Sequence, residues 1–396
     1  QEFIDSNLNS DLTKVILKGS PFKDVTIQEL VEQIEAKKKC QKKLPTWFST
    51  PNIYYPNKLN IEQTSSEQTA KYKASLLSGE SIIDVTGGFG VDSYYFSKQF
   101  KKGIHCDLNS KLSEIVNYNY KQLHIKKVTC FSGDGLEYLK SSSKKMDWIY
   151  IDPSRRHDSK GKVFFLKDCL PNVPDHLEML FDYSNNIMLK TSPLLDISIG
   201  LKELKSVKKI HVVSLNNEVK ELLWILENNF TDTVNIETIN IKSEGIESFS
   251  FDLLTESQVE VDYSEPLNYL YEPNSSILKS GAFKSIAKRY NVFKLHKHTH
   301  LYTSKNLIKN FPGRTFKINQ VLPDGRAFNL GDTILRMRYR DGLEQEVFMT
   351  AGEAYTIELP PIPLSRTVAA GHRLQVEVSS SNFASYARNL NTAANP

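Results

Sequence analysis

The sequence predicts an α/β chain built on a mostly parallel sheet with helices on both faces. Three observations predict it. Ser81-Ile-Ile-Asp-Val85 reads as a short buried strand that enters the glycine turn Thr86-Gly-Gly-Phe-Gly90, and Val91 to Phe100 then reads as a helix leaving the turn. Strand and helix patterns alternate from there on. Finally, each of the first four strands meets an acidic residue at its carboxyl end, Asp84, Asp107, Asp134 and Asp152 in turn. In an open α/β sheet that edge is where ligands bind.

Taken in order, residues 1–60 form an N-terminal helical, basic region. Ile27 to Ala36 carries an apolar stripe of Leu30, Val31 and Ile34, and five lysines follow between Lys37 and Lys43. Those lysines suit either phosphate contacts in a nucleic acid or a solvated helix end that favours positive charge. Residues 61–260 form the main α/β domain. Ser66 and Thr69 begin a helix with Ala70, Ala74 and Leu77 on one side, and Gln63 to Glu67 is placed to lie over a ligand pocket as its lid, so Ser66 and Glu67 are candidate substrate contacts. After the glycine turn come strands at Ile104–Cys106, Val128–Phe131, Trp148–Ile151 and Ile187–Lys190, with a helix at Leu112–Gln122. Lys209–Ser214, Val234–Ile241 and Ser248–Leu253 are further strands, and Glu218–Leu226 is expected to be a helix. A small α+β domain occupies 261–320. The segment 321–396 alternates apolar and polar residues between turn signals, as antiparallel strands do.

At 396 residues the chain should hold two or three domains. It shows no run of ~18 apolar residues, so no membrane span is expected. It begins with Gln1 and lacks a signal-peptide pattern, which points to a processed or partial N-terminus. Four scattered cysteines without a C-x-x-C pair suit reduced thiols and a cytoplasmic location. The formal charge is only +4, yet all 39 lysines lie at or before Lys317 and seven of the 11 arginines lie after Gln320. Such a switch in residue usage reads as a change of origin, a fusion or chimeric gene.

The glycine turn departs from a dinucleotide fingerprint, because Ser93 stands where the third glycine would be. Asp84-x-x-Gly87-Gly88-x-Gly90 instead resembles motif I of the class I S-adenosylmethionine-dependent methyltransferases. Asp107, about 20 residues beyond the turn, suits ribose hydroxyls, and Asp134 suits an exocyclic adenine amine. Asp84, Gly87, Gly88, Gly90, Asp107 and Asp134 are therefore the candidate cofactor residues. Asp147-Trp-Ile-Tyr-Ile-Asp152-Pro153-Ser-Arg155-Arg156 stands at motif IV. Amino-group methyltransferases carry Asp/Asn-Pro-Pro-aromatic there. Ser154 and Arg155 depart from this and put an adenine-N6 target in doubt. Asp152, Pro153 and Arg155 are the candidate catalytic residues, and Arg156, paired with Arg155, is a candidate grip on phosphate or carboxylate. No cysteine follows the fourth or fifth strand, and Cys169 falls in a helical pattern, so covalent cysteine catalysis is not expected. His296, His298 and His300 alternate without a nearby carboxylate or cysteine cluster. They read as polar residues on a strand face, and no metal is expected.

With EQTSSE, IDPSRR, YLYEPN, SILKSGAF and HLYTS added, residues ~10–319 resemble bacterial class I methyltransferases with a THUMP-like domain. That resemblance implies a Rossmann-like sheet, S-adenosylmethionine as cofactor and, by the THUMP analogy, an RNA substrate. The tail resembles the C-terminal jelly-roll domain of cocaine esterase and X-prolyl dipeptidyl peptidase-type hydrolases. At about 75 residues it is a partial jelly roll, and with no nucleophile elbow in the chain it implies no hydrolase activity. The alternatives to an RNA methyltransferase are a non-catalytic RNA-binding protein that keeps the fold, and a hydrolase-related chimera.

Overall fold

The computed structural model describes residues 1–142, 144–155 and 165–319. The tail strands and Arg156 lie outside the described residues. Five helices come first: α1 (Glu2–Ser6), α2 (Leu12–Lys18), α3 (Ile27–Lys43), α4 (Pro45–Ser49) and α5 (Lys58–Gln63). The α/β part follows as α6 (Glu67–Ser75), β1 (Gly79–Asp84), α7 (Val91–Phe96), β2 (Phe100–Asp107), α8 (Ser110–Gln122), β3 (Val128–Ser132), α9 (Gly135–Ser141), β4 (Trp148–Ile151), β5 (Ser154–Arg155), β6 (Cys169–Leu170), α10 (Val173–Tyr183), β7 (Asn186–Thr191), α11 (Ile197–Glu203), β8 (Val207–Leu215), β9 (Glu218–Glu227), β10 (Asn235–Lys242), β11 (Gly245–Asp252) and α12 (Leu253–Gln258). The small domain comprises β12 (Tyr269–Pro273), α13 (Ser275–Ser280), α14 (Ser285–Tyr290), β13 (Phe293–Lys294), β14 (Tyr302–Ser304) and β15 (Gly313–Lys317).

The large sheet has nine strands in the order β11-β10-β8-β9-β7-β4-β1-β2-β3. Strands β1 to β4, β7, and the β8–β10 pair run parallel, whereas β9 is antiparallel to both β7 and β8. The chain steps outward from β1 to β3 and then returns to β4 on the other side of β1. That reversal opens the crevice between β1 and β4 in which doubly wound sheets bind ligands. Side chains alternate between two buried clusters. Ile82, Tyr150 and Met188 pack with Trp47, Tyr94 and Phe96, while Ile83, Ile149, Ile151 and Leu189 pack with the helices of the opposite face. The N-terminal helices thus close one face of the sheet, with Trp47 edge-on to Tyr94 at 4.8 Å.

Several expected elements change. The stretch 218–226 is the strand β9, not a helix. Asn216 and Asn217 both have positive φ, +50° and +64°, and form the tight turn that folds β9 back on β8. The helix after the glycine turn stops at Phe96, because Phe100 already opens β2. Cys169 sits in β6, paired with Arg155 of β5, rather than in a helix. His296, His298 and His300 lie in the turn between β13 and β14, not on a strand face: His296 Nδ1 accepts from His298 N at 3.2 Å and His300 stacks on Phe283 at 3.6 Å. Helix α3 runs through the lysine cluster to Lys43, begun by Thr26, whose hydroxyl accepts from Glu29 N at 3.2 Å. Lys37 pairs with Asp5, Lys39 with Glu62, and Lys43 donates to Ile61 O and Glu62 O at 2.9 and 2.7 Å.

The small domain is a four-stranded antiparallel sheet in the order β13-β14-β12-β15, with α13 and α14 on its inner face. Asn274 caps α13 and its Nδ2 reaches Glu247 Oε2 at 3.1 Å, which ties this domain to β11. Among the described residues no helix is long and apolar enough to cross a membrane.

Candidate functional site at the β1–β4 switch

The glycine turn is held by its own backbone. Gly87 N donates to Cys106 O at 2.7 Å, Gly90 N to Gly87 O at 2.9 Å, and Gly88 N to the Asp107 carboxylate at 2.8 Å. Two of the three glycines are dictated by packing. A Cβ on Gly87 would lie 2.2 Å from the His105 ring, and one on Gly90, at φ +75°, would lie 2.5 Å from Tyr120 Oη. At Gly88 the nearest atom to a Cβ is Thr86 O at 3.9 Å, so that side of the turn is open. Asp84 braces the turn from beneath, accepting from Thr86 N at 3.1 Å and from Ser93 Oγ at 2.7 Å. Burial pushes its carboxyl up to about 8, against the opposing pull of Ser93. Ser93, which breaks the dinucleotide pattern, is thus a partner of the motif's own acid. His105 is buried beside the turn, 3.2 Å from Gly88 O, and burial lowers its pKa.

Asp107 is half-exposed and also accepts from Asn109 N at 2.8 Å. Leu108, next to it, is 76% exposed, and Phe131 at the end of β3 is exposed too. Asp134 caps α9 through Leu136 N at 2.8 Å and stands at the exposed end of β3. Asp152 follows β4; its amide donates to Thr86 Oγ1 at 2.6 Å, which fastens it to the glycine turn, and its carboxylate pairs with Lys190 of β7. Pro153 is half-buried and leads to Ser154 and Arg155, whose backbone pairs with Leu170 and Cys169.

The sequence reading missed a buried group of charges beside this edge. Lys73 of α6 is fully buried and contacts Glu221 at 2.8 and 3.0 Å, Ser65 Oγ at 2.9 Å and Asp92 at 3.2 Å. Asp92 also accepts from Ser65 Oγ at 2.8 Å and Tyr150 Oη at 2.9 Å. Burial alone would raise the Asp92 carboxyl, but Lys73 and Lys190 bring it below its ordinary value. Burial would likewise lower Lys190, yet Asp152, Glu221 and Asp92 together hold it above its ordinary value, as a firm ammonium. The signals in the sequence were a lysine closing the apolar run Ile187-Met-Leu-Lys190 and a glutamate opening Glu221-Leu-Leu-Trp224.

The lid residues take other parts. Ser66 caps α6 through Thr69 N at 3.1 Å. Glu67 is 2% exposed, bound to Thr46 Oγ1 at 2.8 Å and Tyr95 Oη at 2.6 Å, so it joins α4 to α7. Ser65, one residue earlier, is the one that reaches the charged group. Burial pushes the Cys40 and Cys130 thiols up to about 12 and about 11, which disfavours a thiolate at either. Two surface hollows, of about 370 and 560 Å³, lie away from the glycine turn, against β10–β11 with α14 and beside α10. Among the described residues there is no cluster of three or more metal-ligating side chains.

Comparison with known proteins gives two separate likenesses. A Porphyromonas gingivalis W83 protein of known crystal structure, provisionally described as a methyltransferase, superposes with a TM-score of 0.72 at 31% identity over 81% of this chain and 80% of its own. Residues 269–312 match a family described as a ferredoxin-like domain. Residues 314–396 match the X-Pro dipeptidyl-peptidase C-terminal non-catalytic domain. Within that tail the chain is 47% identical over 78 residues to cocaine esterase of Rhodococcus sp. (strain MB1 Bresler), which is 20% of this chain and only 14% of that enzyme.

Proposed function

We propose, on the premise that the chain belongs to the methyltransferase family of the Porphyromonas gingivalis W83 protein, that it transfers a methyl group from S-adenosylmethionine to RNA. The observation that carries the reading is the convergence of Gly88, Asp107, Asp134 and Asp152 on one sheet edge at the topological switch. The residues fit such a cofactor. Gly88 leaves room for close backbone approach. Asp107 offers carboxylate oxygens to ribose hydroxyls, Leu108 an apolar shelf for the adenine ring, and Asp134 an acceptor for its amine. S-adenosylmethionine supplies an electrophilic methyl carbon on a sulfonium.

Methyl transfer needs a substrate nucleophile in line with the breaking carbon–sulfur bond, and holding that geometry contributes on the order of 7–11 kcal/mol. Asp152 is anchored to the glycine turn through its amide and to β7 through Lys190, which supports a role for its carboxylate in orienting the substrate. Lys190, held protonated, neutralises that carboxylate without withdrawing it as an acceptor and is not itself a base. Arg155 and Arg156 would serve as phosphate grips. The tail supplies no second activity in this reading, since the family it matches is a non-catalytic domain.

Calorimetry with S-adenosylmethionine and its demethylated product, paired with mass spectrometry of nucleosides from RNA treated with the protein, tests the reading. Asp152→Ala should abolish transfer while cofactor affinity stays within a few-fold. Failure of either ligand to bind at millimolar concentration would sink the proposal, and loss of cofactor binding in Asp152→Ala would move that residue out of the substrate role.

A further inference from the structure

Residues 267–319 carry eight lysines, two arginines and a single acid, Glu272, whereas the 266 residues before them hold more acids than bases. The strand register places side chains on the two faces of this small sheet. Tyr271, Tyr302 and Lys294 share the inner face, where the two tyrosines pack with Ile277, Ile286 and Ala287. On the outer face, one cross-strand row runs Phe293–Thr303–Leu270–Phe316. Phe316 is 44% exposed and Phe293 36% exposed. Arg314, two residues from Phe316 on the same face, lies 5.7 Å from its ring and is held there by Glu272. Leu267 N donates to Thr303 Oγ1 at 2.8 Å, so the segment before β12 crosses above β14, and among the described residues the β12–β15 half of the face is left open. Lys317 pairs with Tyr269, as does Ser304, so Lys317 belongs to the inner face of Tyr271, while Lys305, one residue past Ser304, stands exposed at that end of the sheet.

An edge strand that presents a phenylalanine is an association hazard unless something covers it. Here the surroundings select the cover, because a strongly basic domain with an exposed ring and a neighbouring guanidinium matches a polyanion whose units have flat apolar faces. Single-stranded nucleic acid meets that description, with bases stacking on rings and phosphates meeting lysines. We infer that the outer β12–β15 face is a platform for single-stranded RNA, on which Phe316 and Arg314 receive a base and Lys305 receives a flanking phosphate.

The inference rests on the RNA reading above, and the experiment separates the two. Fluorescence anisotropy of the intact chain with a labelled single-stranded oligoribonucleotide of about twelve nucleotides, over a salt series, is the assay, with cofactor calorimetry run on each variant. Phe316→Ala should weaken binding roughly tenfold, and Phe316→Trp should keep it. Lys305→Gln should lower the salt slope by about 0.7, the share of the one single-strand phosphate that the variant no longer neutralises. Cofactor affinity should be unchanged throughout. A wild-type chain that binds cofactor but no RNA would end the RNA reading. Wild-type RNA binding with Phe316→Ala unaffected, or equal affinity for a duplex, would overturn the platform alone and assign the face to another occupant, the tail included.

Discussion

The large and small sheets treat charge in opposite ways. Around the β1–β4 switch, ionisable groups are matched and mostly buried: Asp84 with Ser93, Asp92 with Lys73, and the half-buried Asp152 with Lys190. In the small domain the charges are nearly all of one sign, and Lys297, Lys305, Lys309 and Lys317 stand exposed. A matched, desolvated group fixes geometry and is costly to disturb, whereas an exposed cation adds little to stability and remains available to a partner. The comparison therefore predicts that substitutions at the switch act on folding and cofactor, and that those in the small domain act on RNA.

The largest effect should come from Lys73. Lys73→Met removes the cation that contacts both Glu221 and Asp92, leaving only the field of Lys190, and breaking a buried pair costs about 3–5 kcal/mol. Urea unfolding measures it, and Lys73→Met combined with Glu221→Leu should recover part of the loss. A small loss in the single variant would mean that water reaches this cluster and that the matching is not what holds it.

A pair of glycine variants comes next. Gly87→Ala drives a methyl into the buried His105 ring and should cost about 1–3 kcal/mol. Gly88→Ala meets only Thr86 O at an ordinary 3.9 Å and an unfavourable φ of +55°, for about 1 kcal/mol, and should chiefly weaken the cofactor. Thermal melting and calorimetry on both variants distinguish them. Equal behaviour would remove the case for Gly88 as the point of ligand approach.

A pH-dependent effect should come from Asp84. Its folded pKa, about 8, lies above the ordinary carboxyl value of 3.8, so the folded state holds this proton more tightly than the unfolded chain does. That contribution to stability is fully present below about pH 4 and fades as pH rises toward 8. Asp84→Asn cannot titrate, so the difference in stability between wild type and variant should shift in favour of the variant across that window. A difference independent of pH would mean that Asp84 is ionised in the fold.

How much of this was legible follows from the range of each interaction. The glycine turn could be read because the backbone itself favours glycine at Gly88 and Gly90, with φ of +55° and +75°, within ten residues of Asp84. The strand β9 was misread because Val219, Leu222, Leu223 and Leu226 satisfy a helical period as well as alternation does. The deciding signal was the Asn216–Asn217 turn, whose positive φ values the side chains tolerate. Lys73 and Glu221 are 148 residues apart, and no local pattern tells which buried lysine will meet which acid. Glu67 illustrates the converse: a helix-start acid next to a predicted pocket was turned inward by Thr46 and Tyr95, both distant in sequence.

The smallest effect sharpens the comparison by asking whether basic charge alone makes an RNA surface. The α3 cluster has five lysines, as dense a run as any in the small domain, but Lys37, Lys39 and Lys43 already have partners within the fold, leaving Lys38 and Lys42 exposed. No exposed aromatic ring is paired with an arginine there; the ring near Lys37, Phe48, packs against the core. Lys38→Gln with Lys42→Gln should change stability by no more than about 0.5 kcal/mol and leave the RNA salt slope within about 0.3 of wild type, less than half of what one single-strand phosphate contributes. Anisotropy over a salt series checks the second expectation. A drop in slope equal to that of the Lys305→Gln variant would show that both basic regions meet phosphate, and that position on the fold, rather than a ring beside the charge, selects the RNA surface.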